Sequence, residues 1–295
     1  MKRNVFIIVS FLGLVLFFIF SFSKKNIFLL NNFSYLDSED FTLLLLGKPG
    51  PGHIGSENTD SIIVVYYQQK NNRVFLIPIP RDLIVKDEKG NLEKINALYE
   101  KKKISLLLKK AEEFTDLKIK NYLVIDLNLV TSLVDFLGGL EIELDEPVTD
   151  AVTLYTIPKG RQKLNGDLIE LVLRSRYHPE GDFFRQKNQI KFLIALKERI
   201  VSLSPEEKLN LMKFLESKRY FWQTNLSKQE ILSLALKIKN LKDIQIIPIT
   251  FSLKNGLLAS AYFNIYNTQN VYGVYPQGGI DNYDKIRIYL RSIMK

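Results

Sequence analysis

Three aliphatic stretches near the start of the chain decide its fold: Phe41-Thr-Leu-Leu-Leu-Leu-Gly47, Asp60-Ser-Ile-Ile-Val-Val-Tyr-Tyr-Gln68 and Arg73-Val-Phe-Leu-Ile-Pro-Ile-Pro80. Each is rich in aliphatic and β-branched residues and is bounded by glycine or by turn residues, which is typical of β-strands. Asn71 and Asn72 separate the last two stretches and favour a tight turn. The stretches therefore predict strands of one sheet, the last two joined as a hairpin.

The rest of the chain alternates between strand-like and helix-like segments. Further strands are predicted at 121–126, 140–144 and 245–249, and helices at 98–114, 128–136, 166–173, 182–202, from 204 onward, at 227–240 and at 281–294. Ser204 and Ser227 are strong helix caps, Asn128 is a third candidate cap, and 256–280 is predicted to be irregular. Alternating strands and helices predict an α/β fold, a layered mixed β-sheet flanked by helices on both faces.

The N-terminal segment 5–22 (VFIIVSFLGLVLFFIFSF) carries no charge over 18 positions. As a helix it would be about 27 Å long, enough to cross the hydrocarbon core of a bilayer. Two basic residues stand on each side of it, so the flanking charge orients it only weakly. We expect an uncleaved, single-pass anchor in the cell membrane, with 1–4 as a short cytoplasmic tail and the C-terminal domain extracytoplasmic; a cleaved signal peptide is the alternative.

Composition excludes several kinds of chemistry. The chain has no cysteine, which excludes disulfides, thiolate catalysis and cysteine-ligated zinc. It has only two histidines, His53 and His178, which excludes a histidine-rich metal site. Any metal would be held by carboxylates, which favours hard cations such as magnesium. The formal net charge of +9 favours anionic partners, and the predicted anchor argues against nucleic acid as one of them.

A basic segment follows the helix predicted at 166–173. Arg174, Arg176 and Arg185 stand close together in the sequence, with Asp182 and Gln189 beside them. Planar guanidinium groups gathered in this way suit a phosphate or pyrophosphate, which offers several acceptor oxygens and more than one negative charge. A solvated basic loop is the alternative interpretation.

A second group of polar residues lies at the ends of the first strands. Asp60 opens the second strand, Arg81 and Asp82 follow the third, and Lys94 and Asn96 come after the next loop. Ligands of layered α/β folds collect beyond the carboxyl ends of strands, so we expect a binding crevice here. The alternative for each residue is a surface charge, and for Arg81 an ion pair with Asp82.

The first loop, Gly47-Lys-Pro-Gly-Pro-Gly-His-Ile-Gly55, is rich in glycine but has neither Walker A nor Rossmann spacing. Its glycines would let backbone N–H groups approach an anion; a plain flexible loop is the alternative. The sequence contains no Gly-x-Ser-x-Gly and no His-Glu-x-x-His, so it gives no support to the common serine hydrolases and zinc proteases.

In their order along the chain, these segments resemble the LytR-CpsA-Psr family, bacterial envelope enzymes with a membrane anchor and one extracytoplasmic domain. The matching segments are the Leu-Leu-Leu-Gly47 strand, Thr59-Asp60-Ser-Ile-Ile-Val, Ile79-Pro-Arg-Asp82, Lys94-Ile-Asn96, Leu133-Val-Asp-Phe-Leu-Gly-Gly139, Leu164-x-Gly166, Arg174-Ser-Arg176 and Asp182-x-x-Arg185-x-x-x-Gln189. The polar segment 23–40 is predicted to be a juxtamembrane connector, and the resemblance implies a catalytic core at 41–203. We expect C-terminal helices and a closing strand of the same domain at 204–295; a small separate module is the alternative.

The chain departs from the family pattern at three places. Family members usually carry an aspartate directly after the first strand, where this chain has Lys48 and Pro49. Asn58 stands where an arginine is common, and Ile169-Glu170 replaces a usual Ala-Leu pair. The first departure removes one of two expected magnesium ligands.

The resemblance implies transfer of a glycopolymer from a polyprenyl-(pyro)phosphate carrier to peptidoglycan or another envelope acceptor, with release of the lipid phosphate. It implies catalytic roles for Arg81, Arg174, Arg176 and Arg185 as a clamp on the pyrophosphate, and for Asp182, which would orient Arg185 or accept the sugar proton. Lys94, Asn96 and Gln189 would bind phosphate or sugar oxygens, and Asp60 would hold Mg²⁺.

A polyprenyl chain would need an apolar tunnel between the sheet and the helices, for which 122–137 and 166–200 offer side chains; ordinary core packing is the alternative. Two other functions stay open. One is a pyrophosphatase that trims a polyprenyl pyrophosphate with water. The other is a lipid- or polymer-binding envelope protein without catalysis, similar to a transcriptional attenuator.

Overall fold

The computed structural model describes residues 40–53, 55–227, 230–231, 244–265 and 268–295. The predicted tail (1–4), the anchor (5–22) and the connector up to residue 39 lie outside the described residues, as does most of the helix predicted at 227–240. Within the described ranges, no helix has both the length and the apolar character needed to span a membrane. The anchor therefore stays a prediction.

A mixed sheet forms the centre of the fold. Among the described residues its strands are β1 (Phe41–Lys48), β2 (Ser61–Gln68), β3 (Arg73–Pro78), β6 (Asn121–Asp126), β11 (Trp222–Thr224) and β12 (Gln245–Pro248). Their spatial order is β11-β6-β1-β2-β3-β12. β2 is antiparallel to β1 and β3, whereas β6 is parallel to β1 and β12 is parallel to β3. The three opening strands and their hairpin are as predicted, and both edge strands come from 204–295.

Helices cover both faces of this sheet. They are α1 (Ala97–Glu100), α2 (Ile104–Thr115), α3 (Leu127–Phe136), α4 (Gly166–Arg174), α5 (Asp182–Ser202), α6 (Pro205–Ser217) and α7 (Asp284–Met294). Successive residues of a strand point to opposite faces, so Leu43 and Leu45 belong to one hydrophobic core while Leu44 and Leu46 belong to the other. Helices α3 to α6 pack in the first core, and α1, α2 and α7 pack in the second. The predicted layered α/β architecture is confirmed.

Two helix predictions need correction. The helix predicted at 98–114 is split into α1 and α2, because Lys102 between them has a φ of 57°, which a continuous right-handed helix does not allow. The cap of α3 is Asp126 rather than Asn128: the Asp126 carboxylate accepts a hydrogen bond from the Asn128 N–H at 2.8 Å. The predicted cap of α6 is confirmed, since Ser204 forms a capping box with Glu207.

Short two-stranded pairs surround the central sheet: β4 (Ile84–Lys86) with β5 (Leu92–Lys94), β7 (Leu140–Leu144) with β10 (Gly160–Leu164), β8 (Val148–Thr149) with β9 (Thr156–Ile157), and β13 (Leu258–Ile265) with β14 (Thr268–Pro276). The last pair shows that the irregular structure predicted for 256–280 was wrong. Tyr262 and Tyr272 face each other across it, with ring centroids 6.0 Å apart. A Cβ added at Gly273 would lie 2.4 Å from Cγ1 of Ile84, so this glycine lets the pair pack closely on β4.

Candidate active site

The candidate site lies at the edge of the central sheet where β1, β3 and β6 end and β2 begins. Asp60 directly precedes β2, and its N–H donates to the carbonyl of Gly47 in β1 at 2.8 Å. Arg81 comes shortly after β3. Because β2 and β3 are antiparallel, with Ile63 opposite Pro78, the start of one strand meets the end of the other. The register therefore brings Asp60 and Arg81 together.

Asp60 is the centre of an ion-pair network with two arginines. Its Oδ1 accepts a hydrogen bond from Nη1 of Arg81. Its Oδ2 lies 3.7 Å from Nη1 of Arg185, and Nη2 of Arg185 donates to the backbone carbonyl of Asp60 at 2.9 Å. Two predicted clamp residues that are far apart in sequence thus contact one carboxylate.

Arg185 is almost completely buried, with 2% of its surface exposed. Asp182, in the first turn of α5, pairs with Nη2 of Arg185 through Oδ1, and its Oδ2 accepts a hydrogen bond from Nε2 of Gln186 at 2.8 Å. Burial lowers the pKa of the Arg185 guanidinium, while the Asp182 and Asp60 carboxylates oppose that change. The ion pair with Oδ1 orients Arg185, although Oδ1 has no hydrogen-bond partner among the described residues.

Two buried guanidinium N–H groups in this network have no hydrogen-bond partner among the described residues. They belong to Nε of Arg81 and Nε of Arg185. A buried donor without an acceptor costs roughly 1–3 kcal/mol. An anion with several acceptor oxygens, such as a phosphate, could satisfy these donors.

Arg174 and Arg176 extend the basic cluster from the end of α4. Nη1 of Arg174 donates to Oε1 of Glu170 at 2.6 Å and lies 3.2 Å from Nδ1 of His53. Arg176 is exposed, and its charge contributes to lowering the pKa of Arg185 after the larger effect of burial. The predicted site did not include Glu170 or His53. The four-residue spacing of Glu170 and Arg174 is a readable signal for a helical ion pair, whereas nothing in the sequence places His53 beside them.

Lys94 and Asn96 contact the chain neighbours of Arg81 and Asp60. Nζ of Lys94 donates to Oδ1 of Asp82 at 2.7 Å, and Asp82 is buried. The backbone carbonyl of Asn96 accepts a hydrogen bond from the N–H of Thr59 at 3.0 Å. These contacts fix the segments before β2 and after β3. In the structure, Lys94 and Asn96 therefore hold neighbouring parts of the chain in place.

The arginine cluster separates two hollows of different character. The first, which we call the apolar cavity, has a volume of about 110 Å³ and lies between the sheet, α3 and α5. Leu133 and Phe192 are among its wall residues, and Lys48, Asp60, Arg174, Arg185 and Gln189 also line it. Gln189 is buried, and its Nε2 donates to the carbonyl of Leu173 at 3.2 Å.

The second hollow, which we call the polar cleft, has a volume of about 1350 Å³. Arg174, Arg176 and Asp182 lie at the end of the cleft that adjoins the ion-pair network. Arg174 lines both the cleft and the apolar cavity. A ligand could therefore place an apolar part in the cavity and a charged part at the arginines, and that charged part could be approached from the cleft.

The predicted magnesium site retains one carboxylate. In the part of the chain that the structure describes, no group of three or more His, Asp or Glu side chains could hold a metal ion. Lys48, where an acidic residue is usual, pairs instead with Glu57 at 2.8 Å. Magnesium is often bound by one or two carboxylates together with water and substrate phosphates. Asp60 alone fits magnesium in that limited sense.

The fold and the site together define an α/β domain that carries an arginine cluster beside an apolar cavity. The model of the LytR_cpsA_psr family matches residues 22–276, and the chain belongs to this family. The resemblance inferred from the sequence is thereby confirmed.

Three curated relatives are 27% to 29% identical to this chain over the aligned residues. It is 27% identical to Biofilm regulatory protein A of Streptococcus mutans, over 64% of this chain and 51% of that protein. It is 27% identical to the polyisoprenyl-teichoic acid–peptidoglycan teichoic acid transferase TagU of Enterococcus faecalis, over 74% of this chain and 70% of that protein. It is 29% identical to the polyisoprenyl-teichoic acid–peptidoglycan teichoic acid transferase TagV of Bacillus subtilis, over 72% of this chain and 56% of that protein. The chain spans about half the length of the first and third of these relatives.

Solved structures show the same architecture. The crystal structure of B. subtilis TagV superposes with a TM-score of 0.64 at 26% identity, covering 86% of this chain and 96% of that chain. The structure of TagT bound to LIIa-WTA has a TM-score of 0.64 at 19% identity, covering 87% of this chain and 90% of that chain. The second similarity supports the fold alone.

Proposed function

We propose that this protein is a membrane-anchored, extracytoplasmic phosphotransferase. It moves a glycopolymer from a polyprenyl-(pyro)phosphate carrier to peptidoglycan or another envelope acceptor. The observation that carries the proposal is the position of the arginine cluster between an apolar cavity and a polar cleft. A lipid pyrophosphate would place its lipid part in the cavity and its phosphates at the arginines, and the cleft would give a second substrate access to those phosphates. The names of TagU and TagV support the same reaction class.

In this reaction a hydroxyl oxygen of the acceptor bonds to the sugar-side phosphorus of the carrier. The bridging P–O bond breaks, and the lipid phosphate leaves with the electron pair. The acceptor proton passes to solvent or to a carboxylate of the cleft. Negative charge grows on the non-bridging oxygens, so catalysis depends chiefly on positioning and charge stabilisation.

The clamp residues divide this work by their surroundings. Asp60 holds Arg81, and Asp60 and Asp182 together hold Arg185. Each arginine has a buried Nε–H group that could donate a hydrogen bond to a phosphate oxygen. Arg174 and Arg176 are more exposed and would close over the pyrophosphate from the side of the cleft. Lys94 assists through the field of its ammonium group, and Asn96 and Gln189 position the surrounding segments. Asp60 would hold Mg²⁺, which supplies further charge neutralisation when bound.

The proposed location of the protein in the cell follows from the location of its lipid-linked donor. An anchor at 5–22 would keep the domain at the outer surface of the membrane, where a polyprenyl-linked donor resides. Restricting both partners to one surface raises their effective concentration without any new contact. The proposed partners are therefore the lipid-linked glycan, the wall acceptor and the membrane, and not nucleic acid.

The test uses the full chain in phospholipid vesicles with a polyprenyl-pyrophosphoryl glycan, magnesium and peptidoglycan. We expect a covalent glycan–peptidoglycan product and free lipid phosphate, both dependent on the acceptor. Lipid phosphate at the same rate without acceptor would instead indicate a pyrophosphatase. Tight binding of the donor without turnover would indicate a non-catalytic envelope protein, and either result would overturn the proposal.

A further inference from the structure

The polar cleft is larger than a pyrophosphate site requires. Its volume is about 1350 Å³, whereas pockets for drug-sized ligands are about 300–1,000 Å³. Four parts of the chain contribute most of its walls: the β8–β9 pair with its turn, helix α4, the loop 175–181 between α4 and α5, and the segment 252–254 together with β14. Such a composite cleft can hold an extended ligand with several repeating units.

Exposed tyrosine rings line this cleft. Tyr155, Tyr177 and Tyr272 all lie in its wall, with 52%, 58% and 39% of their surfaces exposed. They come from the β8–β9 pair, the loop 175–181 and β14, so they are distributed around the cleft. Large exposed aromatic rings grouped in one cleft mark a binding surface. A tyrosine offers a flat apolar face and a hydroxyl, which suits the ring faces and hydroxyl groups of a sugar.

The lining of the cleft has more carboxylates than cations. The cations are Arg174, Arg176 and Lys254, and the carboxylates are Asp82, Asp150, Asp167, Glu170, Glu180 and Asp182. Glu170 pairs with Arg174, and Glu180 pairs with Lys187 outside the cleft lining. The lining therefore has no excess of positive charge to attract a polyanion, and its carboxylates offer acceptors to a chain rich in hydroxyl groups.

We propose that the polar cleft is the subsite for the acceptor, an uncharged glycan strand whose sugar rings pack against Tyr155 and Tyr177. This inference rests on the proposed transferase function. The cleft leads directly to Arg174 and Arg176, so a hydroxyl group of a strand lying in it would face the phosphates held there. The lack of excess positive charge in the lining argues against the anionic polymer of the donor as the occupant.

The experiment compares a Tyr155→Ala, Tyr177→Ala double variant with the wild-type full chain in vesicles. The donor is a polyprenyl-pyrophosphoryl disaccharide and the acceptor is a peptide-free glycan oligomer from peptidoglycan. We expect the KM for the oligomer to rise roughly tenfold, as expected for the loss of two aromatic contacts. The KM for the donor should stay unchanged. Tyr177→Phe, which keeps the ring, should behave as wild type.

Tyr220→Ala is the matched control, because Tyr220 is fully exposed and does not line the cleft. An unchanged KM for the oligomer in the double variant would overturn the inference. So would a raised KM for the donor alone, which would assign the cleft to the donor glycan. If the wild type transfers nothing, the proposed function fails. Calorimetric titration with the same oligomer then still tests the cleft: loss of binding in the double variant supports it, and equal or absent binding refutes it.

Discussion

Arg185 serves the fold and the candidate site with one side chain. This side chain extends from α5 and is 3% exposed, and its guanidinium group pairs with both Asp60 and Asp182. Burial of a charge is tolerated when partners compensate it. The two carboxylates provide that compensation and also fix the direction of the guanidinium plane. A rigid, partly unsatisfied cation is a suitable group for stabilising charge in a transition state.

Replacing Arg185 by alanine should destabilise the protein strongly. Asp60 and Asp182 would lose a shared counter-charge in a buried setting, which costs about 3–5 kcal/mol. Urea denaturation followed by circular dichroism measures the change. Arg174→Ala is the comparison, because that side chain is 50% exposed and its loss should cost about 0.5 kcal/mol or less. Equal losses for the two variants would contradict the structural role of Arg185.

Arg174→Ala should instead lower turnover. Removing one charge-stabilising donor costs about 2.7–4 kcal/mol of transition-state stabilisation, so kcat should fall roughly 10²- to 10³-fold. The transferase assay measures it, and the fold should be retained. Arg161→Ala is the matched control, since Arg161 is an exposed arginine paired with Glu141, away from the cluster. Full turnover by Arg174→Ala would remove this residue from the clamp.

The sequence shows which residues belong to the candidate site more readily than it shows which of them contact each other. The close spacing of Arg174, Arg176 and Arg185 already indicates an anion site. The contact between Asp60 and Arg81 depends on the register of β2 and β3, and the contact with Arg185 depends on how α5 packs. Those relations are tertiary, so spacing along the chain could not reveal them. The same reason explains why His53 was missed.

The loop between β1 and β2 is tightly packed at one glycine and open at another. Gly50 has a φ of 82°, and an added Cβ would lie 2.1 Å from both carboxylate oxygens of Asp126. Gly52 has a φ of 92°, with no atom within 4 Å of its added Cβ. Asp126 also caps α3, so the loop and the start of that helix are packed as one unit.

Gly50→Ala should therefore be more destabilising than Gly52→Ala. Both variants carry a strained backbone, which costs about 1–3 kcal/mol. Gly50→Ala also displaces Asp126 and weakens the cap of α3, which adds about 1 kcal/mol or more. Thermal and chemical denaturation of the two variants isolate the packing effect, because the backbone strain is common to both. Equal stabilities would show that the close approach of Gly50 and Asp126 is unimportant.

Elements with a strong local pattern were predictable. β1, β2 and β3 are continuous aliphatic runs because both of their faces are buried. β13 and β14 were missed because their outward side chains are polar or aromatic and their pairing is supported by contact with β4 through Gly273. A contact between distant segments leaves little trace in a local pattern.

At the scale of the whole molecule, the apolar cavity is small for a polyprenyl chain. Its volume of about 110 Å³ accommodates only a short part of such a lipid. α3 and α5 would have to separate, or the remaining chain would have to stay in the membrane. The proposed donor therefore gains affinity from the lipid part nearest the phosphates.

A substitution that fills the cavity should lower kcat/KM for a donor with a long lipid chain more than for a donor with a short one. Leu193→Trp places a larger side chain in the wall of the cavity. Each displaced CH₂ group loses about 0.8 kcal/mol of burial, so kcat/KM for a long-chain donor should fall roughly tenfold or more. A donor with a short, water-soluble chain should be little affected. Ile288→Trp, at an exposed position on α7, is the control. Equal losses for both donors would argue against lipid in the cavity.

The position of Arg174 between the two hollows has a consequence for the order in which products depart. If the carrier lies as proposed, its spent lipid withdraws towards the bilayer while the sugar chain faces the wall. Neither product then blocks the exit route of the other. A fresh carrier could therefore bind at the cavity before the lengthened acceptor strand has left the cleft.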